Sequence, residues 1–290
     1  MPMQGLGTWM SQPPEVEDAV HHALKVGYRH IDTARIYGNE PEVGTGLHRW
    51  LDQGGKREDV FLTSKLWNTM HLPSNVPRAL EKTLSDLRTD YLDLYLIHWP
   101  VSLVASGEKD ASGNTKLEDV PLEETWGAME ELLASGKVKH IGLSNYRQDQ
   151  IEATMKTAKH MPDVLQIELH PYLQQRSFVE WAQSKGIVVQ AYSPFGNLNP
   201  GYTVKDEGRI VEHETITSIA KKLGKTPAQV ILAWNIARDV VVLPKSVTPD
   251  RITSNLDVPK LSAEDVEEIN ALDRINVRYC PGNSSWGHRF

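Results

Sequence analysis

Apolar residues along this chain switch between two-residue and helical spacing again and again, and few architectures accommodate so many switches. Strand-like runs occupy residues 4–7, 28–33, 60–65, 91–98, 138–143, 164–168, 187–192 and 240–243. Helical stretches lie between them. The first opens near Ser11, carries Val16, Ala19, Val20, Ala23 and Leu24 at helical spacing, and is stopped by Gly27. Others span 74–87, 123–134, 151–157, 178–184, 214–223 and 227–237, and a last one at 262–272 opens on Ser262 and Asp265, which resemble a capping box. Eight strands, nearly all joined by helices, give the count of a closed (β/α)8 TIM barrel, an α/β fold that takes more than about 200 residues as a single domain. One barrel domain over residues 1–290 is therefore expected. The competing architecture, an open doubly wound sheet, binds dinucleotides through a Gly-rich first turn. Gly5-Leu6-Gly7-Thr8-Trp9 lacks the third glycine and the spacing of that turn. Connections at 101–122 and 195–212 are too long for turns and are expected as loops at the active mouth, and an irregular polar tail follows at 273–290.

Charge and cysteine usage narrow the partners. A net charge of −7 gives a nucleic-acid or membrane-surface role no electrostatic footing. The longest apolar runs, 187–192 and 240–243, fall far short of the roughly 18 residues of a membrane span. The N-terminus has neither the basic nor the apolar region of a secretory signal, and the single cysteine, Cys280, cannot form an internal disulfide. A cytoplasmic setting is expected, and the acidic surface names no interface beyond that of a monomer.

The chemistry gathers at strand ends. Asp32, Lys65 and His98 fall at or just past the C-terminal ends of three strands, with Tyr37 shortly beyond the first. Barrel enzymes place catalytic groups there. Singly, each could be a turn cap, a packed ring or a surface charge; on corresponding strand ends they form a set. A tyrosine titrates near 10, so it is a weak acid at neutral pH unless a cation stabilises its phenolate. Lys65 can supply that cation, Asp32 can keep it charged, and His98 can direct a substrate oxygen. Such a set can protonate a carbonyl oxygen while hydride reaches the carbon, and it requires no metal.

With these residues in place, the chain resembles the aldo-keto reductase superfamily. The motifs Gly5-Leu6-Gly7-Thr8-Trp9, Asp32-Thr33-Ala34, Tyr37-Gly38-Asn39-Glu40, Ser64-Lys65-Leu66-Trp67, Ile97-His98-Trp99-Pro100, Gly142-Leu143-Ser144-Asn145, Gln166-Ile167-Glu168 and Leu243-Pro244-Lys245-Ser246 match its pattern in order. The resemblance implies an NADPH-dependent reductase in which Tyr37 is the general acid, tuned by Lys65 and Asp32, with His98 orienting the carbonyl. It implies that Ser144, Asn145 and Gln166 hold the nicotinamide carboxamide while Tyr192 stacks on the ring, and that Thr8, Trp9 and Ser193 also contact the cofactor. Lys245, Ser246, Thr248, Arg251 and Asn255 lie where a strand leads into a helix, a setting that favours phosphate. The resemblance assigns this segment to the 2′-phosphate of NADPH.

Two departures stand out. Ser254 replaces a glutamate that many family members use at the adenine, and the chain begins almost at the first strand, without the β-hairpin that usually closes the barrel floor. Trp9, Trp67 and Trp99, with Trp286 and Asn283 from the tail, are expected to wall the carbonyl pocket beside His98. The pattern is similar to fungal-type glycerol, glyceraldehyde and aldose reductases, which implies small hydroxyaldehydes, aldoses or aryl aldehydes as substrates. Two other classes compete: a cofactor-binding barrel that senses redox state or holds a partner, which the full tetrad disfavours, and a metal-dependent hydrolase. For the latter, His21, His22 and His30 show no ligand spacing.

Overall fold

The computed structural model describes residues 1–198, 207–283 and Trp286. Eight parallel strands form one sheet in sequence order: β1 (Leu6–Gly7), β2 (His30–Asp32), β3 (Phe61–Leu66), β4 (Leu92–Ile97), β5 (Val138–Ser144), β6 (Val164–Glu168), β7 (Val188–Tyr192) and β8 (Val241–Leu243). The sheet curls until its edges meet. Gly5 N donates to Val242 O, Val242 N to Met3 O and Gly7 N to Pro244 O, each at 2.9 Å. Parallel bridges Gln4–Val242 and Gly7–Lys245 complete the (β/α)8 barrel. Five residues precede β1, and none of them forms a hairpin.

The strands are apolar because both faces are covered. In β4, Leu94 and Leu96 pack with Val164 in one small cluster, whereas the alternating Tyr95 and Ile97 join the main cluster under the helices. The helices are α1 (Pro13–Val26), α2 (Glu40–Leu51), α3 (Val76–Leu87), α4 (Leu122–Ala134), α5 (Gln148–Met155), α6 (Arg176–Ser184), α7 (Glu214–Leu223), α8 (Pro227–Ala237), α9 (Pro249–Leu256) and α10 (Ala263–Asn270). In α1 the buried residues are Val16, Ala19, Val20, Ala23 and Leu24, the stripe its spacing predicts.

Three local features differ from the sequence reading. Ser11 does not cap α1; Gln12 occupies the cap, Pro13 presets the first turn, and the Ser11 carbonyl instead accepts Asn39 Nδ2 at 3.1 Å. Helix α2, which the sequence reading did not place, buries Val43 and Leu47, with Trp50 and Leu51 packed against the same core. It forms by close approach to α1: a Cβ on Gly46 would sit 2.5 Å from Glu17 O, so only glycine allows the two helices this near. Helix α5 begins at Gln148, ahead of the apolar pattern, because Gln150 Oε1 accepts the Arg147 amide at 3.0 Å.

The connection 101–122 is built rather than slack, with antiparallel bridges Leu103–Leu117 and Lys109–Thr115. Of the connection 195–212, residues 199–206 lie outside the described residues; its two ends are tied by Asn197 Nδ2 to Gly208 O at 2.7 Å. In the tail, residues 284–285 and 287–290 also lie outside them. No helix among the described residues is long and apolar enough to cross a membrane.

Two buried imidazoles set an acid limit on the fold. Burial lowers the pKa of His30 to about 4 and of His71 to about 3. Below about pH 6.5 the unfolded chain takes up protons that these folded imidazoles refuse, so stability is full above that pH and declines as pH falls. Urea unfolding at pH 7 and about pH 4.5 should differ by roughly 2–3 kcal/mol for each imidazole, and His71→Gln should remove one share. An unchanged slope in that variant would contradict the assignment.

Candidate active site

Lys65, near the end of β3, carries its ammonium into the barrel with no solvent exposure. A charge there must be matched by oxygens. Its Nζ donates to Asp32 Oδ1 at 2.6 Å, to Thr33 O at 2.9 Å and to Tyr37 Oη at 3.4 Å. Burial pulls the Lys65 pKa down, and the Asp32 carboxylate pushes it back up. Asp32 ends β2, and its other oxygen accepts Gln166 Nε2 at 2.8 Å from across the barrel. Gln166 Nε2 also reaches Gln190 Oε1 at 2.8 Å. The ion pair is thus wired to β6 and β7.

The segment after β2 is fixed from both sides. Arg35–Tyr37 form a single 3-10 turn, which Gly38 ends in the left-handed region at φ 69°. Asn39 Nδ2 donates to Thr8 O at 3.0 Å, tying the segment to the loop after β1. Buried Glu40 accepts Ser64 Oγ at 2.6 Å and Thr83 Oγ1 at 3.3 Å, tying it to β3 and α3. Tyr37 has no freedom to drift from Lys65.

His98 follows β4 and is 8% exposed. Its ring meets Tyr37 edge-on at 5.8 Å and Trp67 edge-on at 5.3 Å. Burial, with Lys65 and His71 nearby, holds its pKa well below the usual value, so the imidazole is neutral. Its Nδ1 is buried with no hydrogen-bond partner among the described residues, which leaves Nε2 as the nitrogen presented outward.

Above these groups opens a cleft of about 900 Å³. Asp32, Tyr37, Trp67, His98 and Trp99 line one end, and Thr8, Trp9, Ser144, Asn145, Gln166, Tyr192 and Ser193 line its middle. Lys245, Ser246, Thr248, Arg251 and Asn255 line the other end, with Ser254 among them. Of the tetrad only Lys65 lies beneath the lining, where it contacts Tyr37 rather than solvent. Asn145, left-handed at φ 62°, is held by His98 O and Ser144 Oγ and accepts Tyr192 Oη at 2.7 Å. Trp286 stands edge-on to Trp99 at 5.5 Å and to Trp67 at 6.1 Å. Neither Trp286 nor Asn283 lines the cleft itself; Trp286 packs on the two lining tryptophans, and Asn283 is exposed.

The far end suits an anion. It lies at the N-terminus of α9, where Thr248 is the N-cap residue without a side-chain cap bond, and neither Lys245 nor Arg251 makes an ion pair among the described residues. A nucleotide fits this arrangement: the cleft runs from paired cations to a tyrosine ring, and Gln166 Oε1 makes no hydrogen bond to the described residues. The sequence reading did not find Ile36, Phe195, Val211, Thr226 or Cys280 in the lining. Thr226 starts α8 with a capping box, a signal that marks a helix start but not which way it faces. Among the described residues, no group of three or more His, Cys, Asp or Glu could hold a metal ion.

Removing one partner of the buried pair should be costly. Lys65→Met leaves Asp32 unpaired and should lose about 3–5 kcal/mol in denaturant unfolding, whereas Lys65→Met with Asp32→Leu should recover most of it. Equal stabilities for the single and double variants would contradict a buried ion pair.

The geometry has close counterparts. The aldo/keto reductase family profile matches residues 4–274. An uncharacterised oxidoreductase of Schizosaccharomyces pombe is 51% identical over 284 residues, covering 96% of this chain and 87% of that protein. Human aldo-keto reductase family 1 member A1 is 45% identical, covering 96% and 88%. The solved aldose reductase of Schistosoma japonicum superposes with a TM-score of 0.92 at 44% identity, covering 99% of this chain and 93% of that one. That of Giardia lamblia gives 0.92 at 41%, covering 99% and 97%. A barrel with an ion-paired lysine under a cleft-facing tyrosine, matched along nearly its whole length, belongs to the aldo/keto reductase family of oxidoreductases.

Proposed function

We propose that this chain reduces aldehydes and ketones to alcohols with NADPH, using Tyr37 as the general acid. The observation that carries the reading is the Lys65 ammonium, which contacts both Asp32 and the phenol oxygen of Tyr37 beneath the cleft. NADPH bound in the cleft would supply the hydride to the carbonyl carbon. Ser144, Asn145 and Gln166 would hold its carboxamide, Tyr192 would face its ring, and Thr8, Trp9 and Ser193 would flank it. Lys245, Ser246, Thr248, Arg251 and Asn255 would take its phosphate.

A phenol oxygen that accepts from an ammonium keeps its own hydrogen as a donor. Tyr37 passes that proton to the carbonyl oxygen, and the phenolate it becomes is stabilised by Lys65. Asp32 keeps Lys65 charged against burial. Neutral His98 donates from Nε2 to the same oxygen, fixing the direction of the carbonyl. Trp9, Trp67, Trp99 and Trp286 exclude water and present faces suited to a sugar or an aryl ring. Small hydroxyaldehydes, aldoses and aryl aldehydes therefore fit. In the reverse sense the Tyr37 phenolate would take the proton of a polyol such as glycerol. A single cysteine, which cannot form an internal disulfide, suits a reducing compartment, and we place the activity in the cytoplasm.

Loss of NADPH absorbance with glyceraldehyde, xylose and a nitrobenzaldehyde tests the reading. Tyr37→Phe should lower kcat by about 10²- to 10⁴-fold while NADPH still binds. A wild type that binds NADPH tightly but turns over none of these carbonyls would favour the redox-sensor reading instead. Arg251→Ala should remove a charge-assisted contact of about 1.5–3 kcal/mol, weakening NADPH by roughly ten- to hundred-fold and sparing NADH. Equal losses for both nucleotides would contradict phosphate recognition at Arg251.

A further inference from the structure

Gln166-Ile167-Glu168 contributes Gln166 to the cleft, but Glu168 has no part in the chemistry above. It is the last residue of β6, two residues after Gln166 and so on the same face of the strand. It has no solvent exposure. A carboxylate there needs strong donors, and it has them. His170 Nε2, itself fully buried, donates to Oε1 at 2.8 Å. The backbone N–H of Tyr279 donates to Oε1 and that of Cys280 to Oε2, both at 2.8 Å. The Arg278 guanidinium lies 3.9 Å from Oε2. Burial pushes the Glu168 pKa up, but His170 and the two amides outweigh it and hold the carboxyl ionised.

Those two amides belong to the tail, which has no helix or strand at this point. Ordinary secondary structure therefore does not position it. Tyr279 adds a second tie where its ring lies 5.3 Å from that of His170 and its hydroxyl receives Asn197 Nδ2 at 2.9 Å. Past the anchor, Cys280 lines the cleft, Gly282 packs so closely on Trp99 that a Cβ would come within 2.8 Å of the ring, and Trp286 stands against Trp67 and Trp99. Among the ties of the tail, which include Val277 N to Tyr172 O at 2.9 Å and Arg278 to Gln175 Oε1 at 3.2 Å, the carboxylate is the one that takes two successive backbone amides.

We propose that Glu168 is a positioning residue for substrate recognition: by holding the Tyr279 and Cys280 amides, it fixes where the tail enters the barrel mouth, and so where Cys280 meets the cleft and where Trp286 backs the pocket residues Trp67 and Trp99. Glu168 shares β6 with Gln166, so the strand that faces the cofactor also places the wall that faces the substrate. The kinetic consequence rests on the carbonyl-reductase reading; the placement of the tail does not.

Glu168→Gln keeps the size but cannot accept from both amides. It should raise KM for an aryl aldehyde about ten-fold, the worth of one charge-assisted hydrogen bond, with kcat and NADPH affinity changed less than about two-fold. It should also loosen the tail and open the Arg278–Tyr279 bond to trypsin, because the amide NH2 that replaces one carboxylate oxygen cannot accept, and one of the two tail amides loses its partner. Trp286→Ala should reproduce the KM effect without the tryptic cleavage. Equal losses in kcat and KM, or a tail as trypsin-resistant as the wild type, would overturn the proposal. Hydrogen exchange of the wild type covers the case in which Glu168→Gln does not fold: the Tyr279 and Cys280 amides should exchange slowly, and fast exchange would overturn the anchor. A wild type without carbonyl turnover but with protected amides would sink the reductase reading and support the anchor.

Discussion

A lysine ammonium removed from water is unstable as a cation unless oxygens replace its hydration, and the arrangement of this site follows from that requirement. Lys65 meets it with a carboxylate, a backbone carbonyl and a phenol. The same three bonds that keep the lysine charged place its charge against Tyr37. In the proposed reading, what stabilises the buried cation would also prepare the acid, because a phenolate beside an ammonium is better stabilised than one in water. The cost of burying the pair is offset further when the second Asp32 oxygen takes Gln166, so the ion pair is bound to β6, which carries Gln166 to the middle of the cleft.

The barrel makes this geometry possible by bringing strand ends that are distant in sequence to one mouth. Asp32 and Gln166 are 134 residues apart and 2.8 Å apart in space. Closure depends on a few backbone bonds between the residues around β1 and β8, so the shortest strand holds the ring together. Fixed supports surround the reactive groups: Asn39 and Glu40 hold the Tyr37 segment, and Asn145 holds Tyr192. Each support is a buried side chain hydrogen-bonded to neighbouring elements, which is how a site stays positioned before any substrate arrives.

Much of this was legible in the sequence for physical reasons. Strands buried on both faces carry nearly continuous apolar runs, so β4, β6 and β7 announced themselves, and motifs on β3, just past β4 and on β6 carried Lys65, His98 and Gln166. Helix α2 was passed over: Pro41, Gly44 and Gly46 lower its helix propensity and drew attention from the stripe of Val43, Leu47, Trp50 and Leu51, while tertiary contact with α1 and α3 rewards those glycines. Ser11 looked like a cap by type, but its carbonyl was needed by Asn39, a contact that no local pattern encodes. Ile36 and Val211 could not be recognised as cleft residues, because which way an apolar side chain faces depends on how the loops fold back over the mouth. Glu168 was visible in a motif but silent about its partner, which lies 111 residues away.

Control of Tyr37 by the buried cation is tested most directly by the pH dependence of kcat for carbonyl reduction in the wild type and in Lys65→Met. Reduction requires a protonated phenol, so kcat falls on the alkaline side as that proton is lost. Without the Lys65 cation the phenolate is less stable, and the alkaline limb should move to higher pH while the plateau rate drops. A limb that stays where it was, or moves to lower pH, would show that Lys65 does not tune the acid.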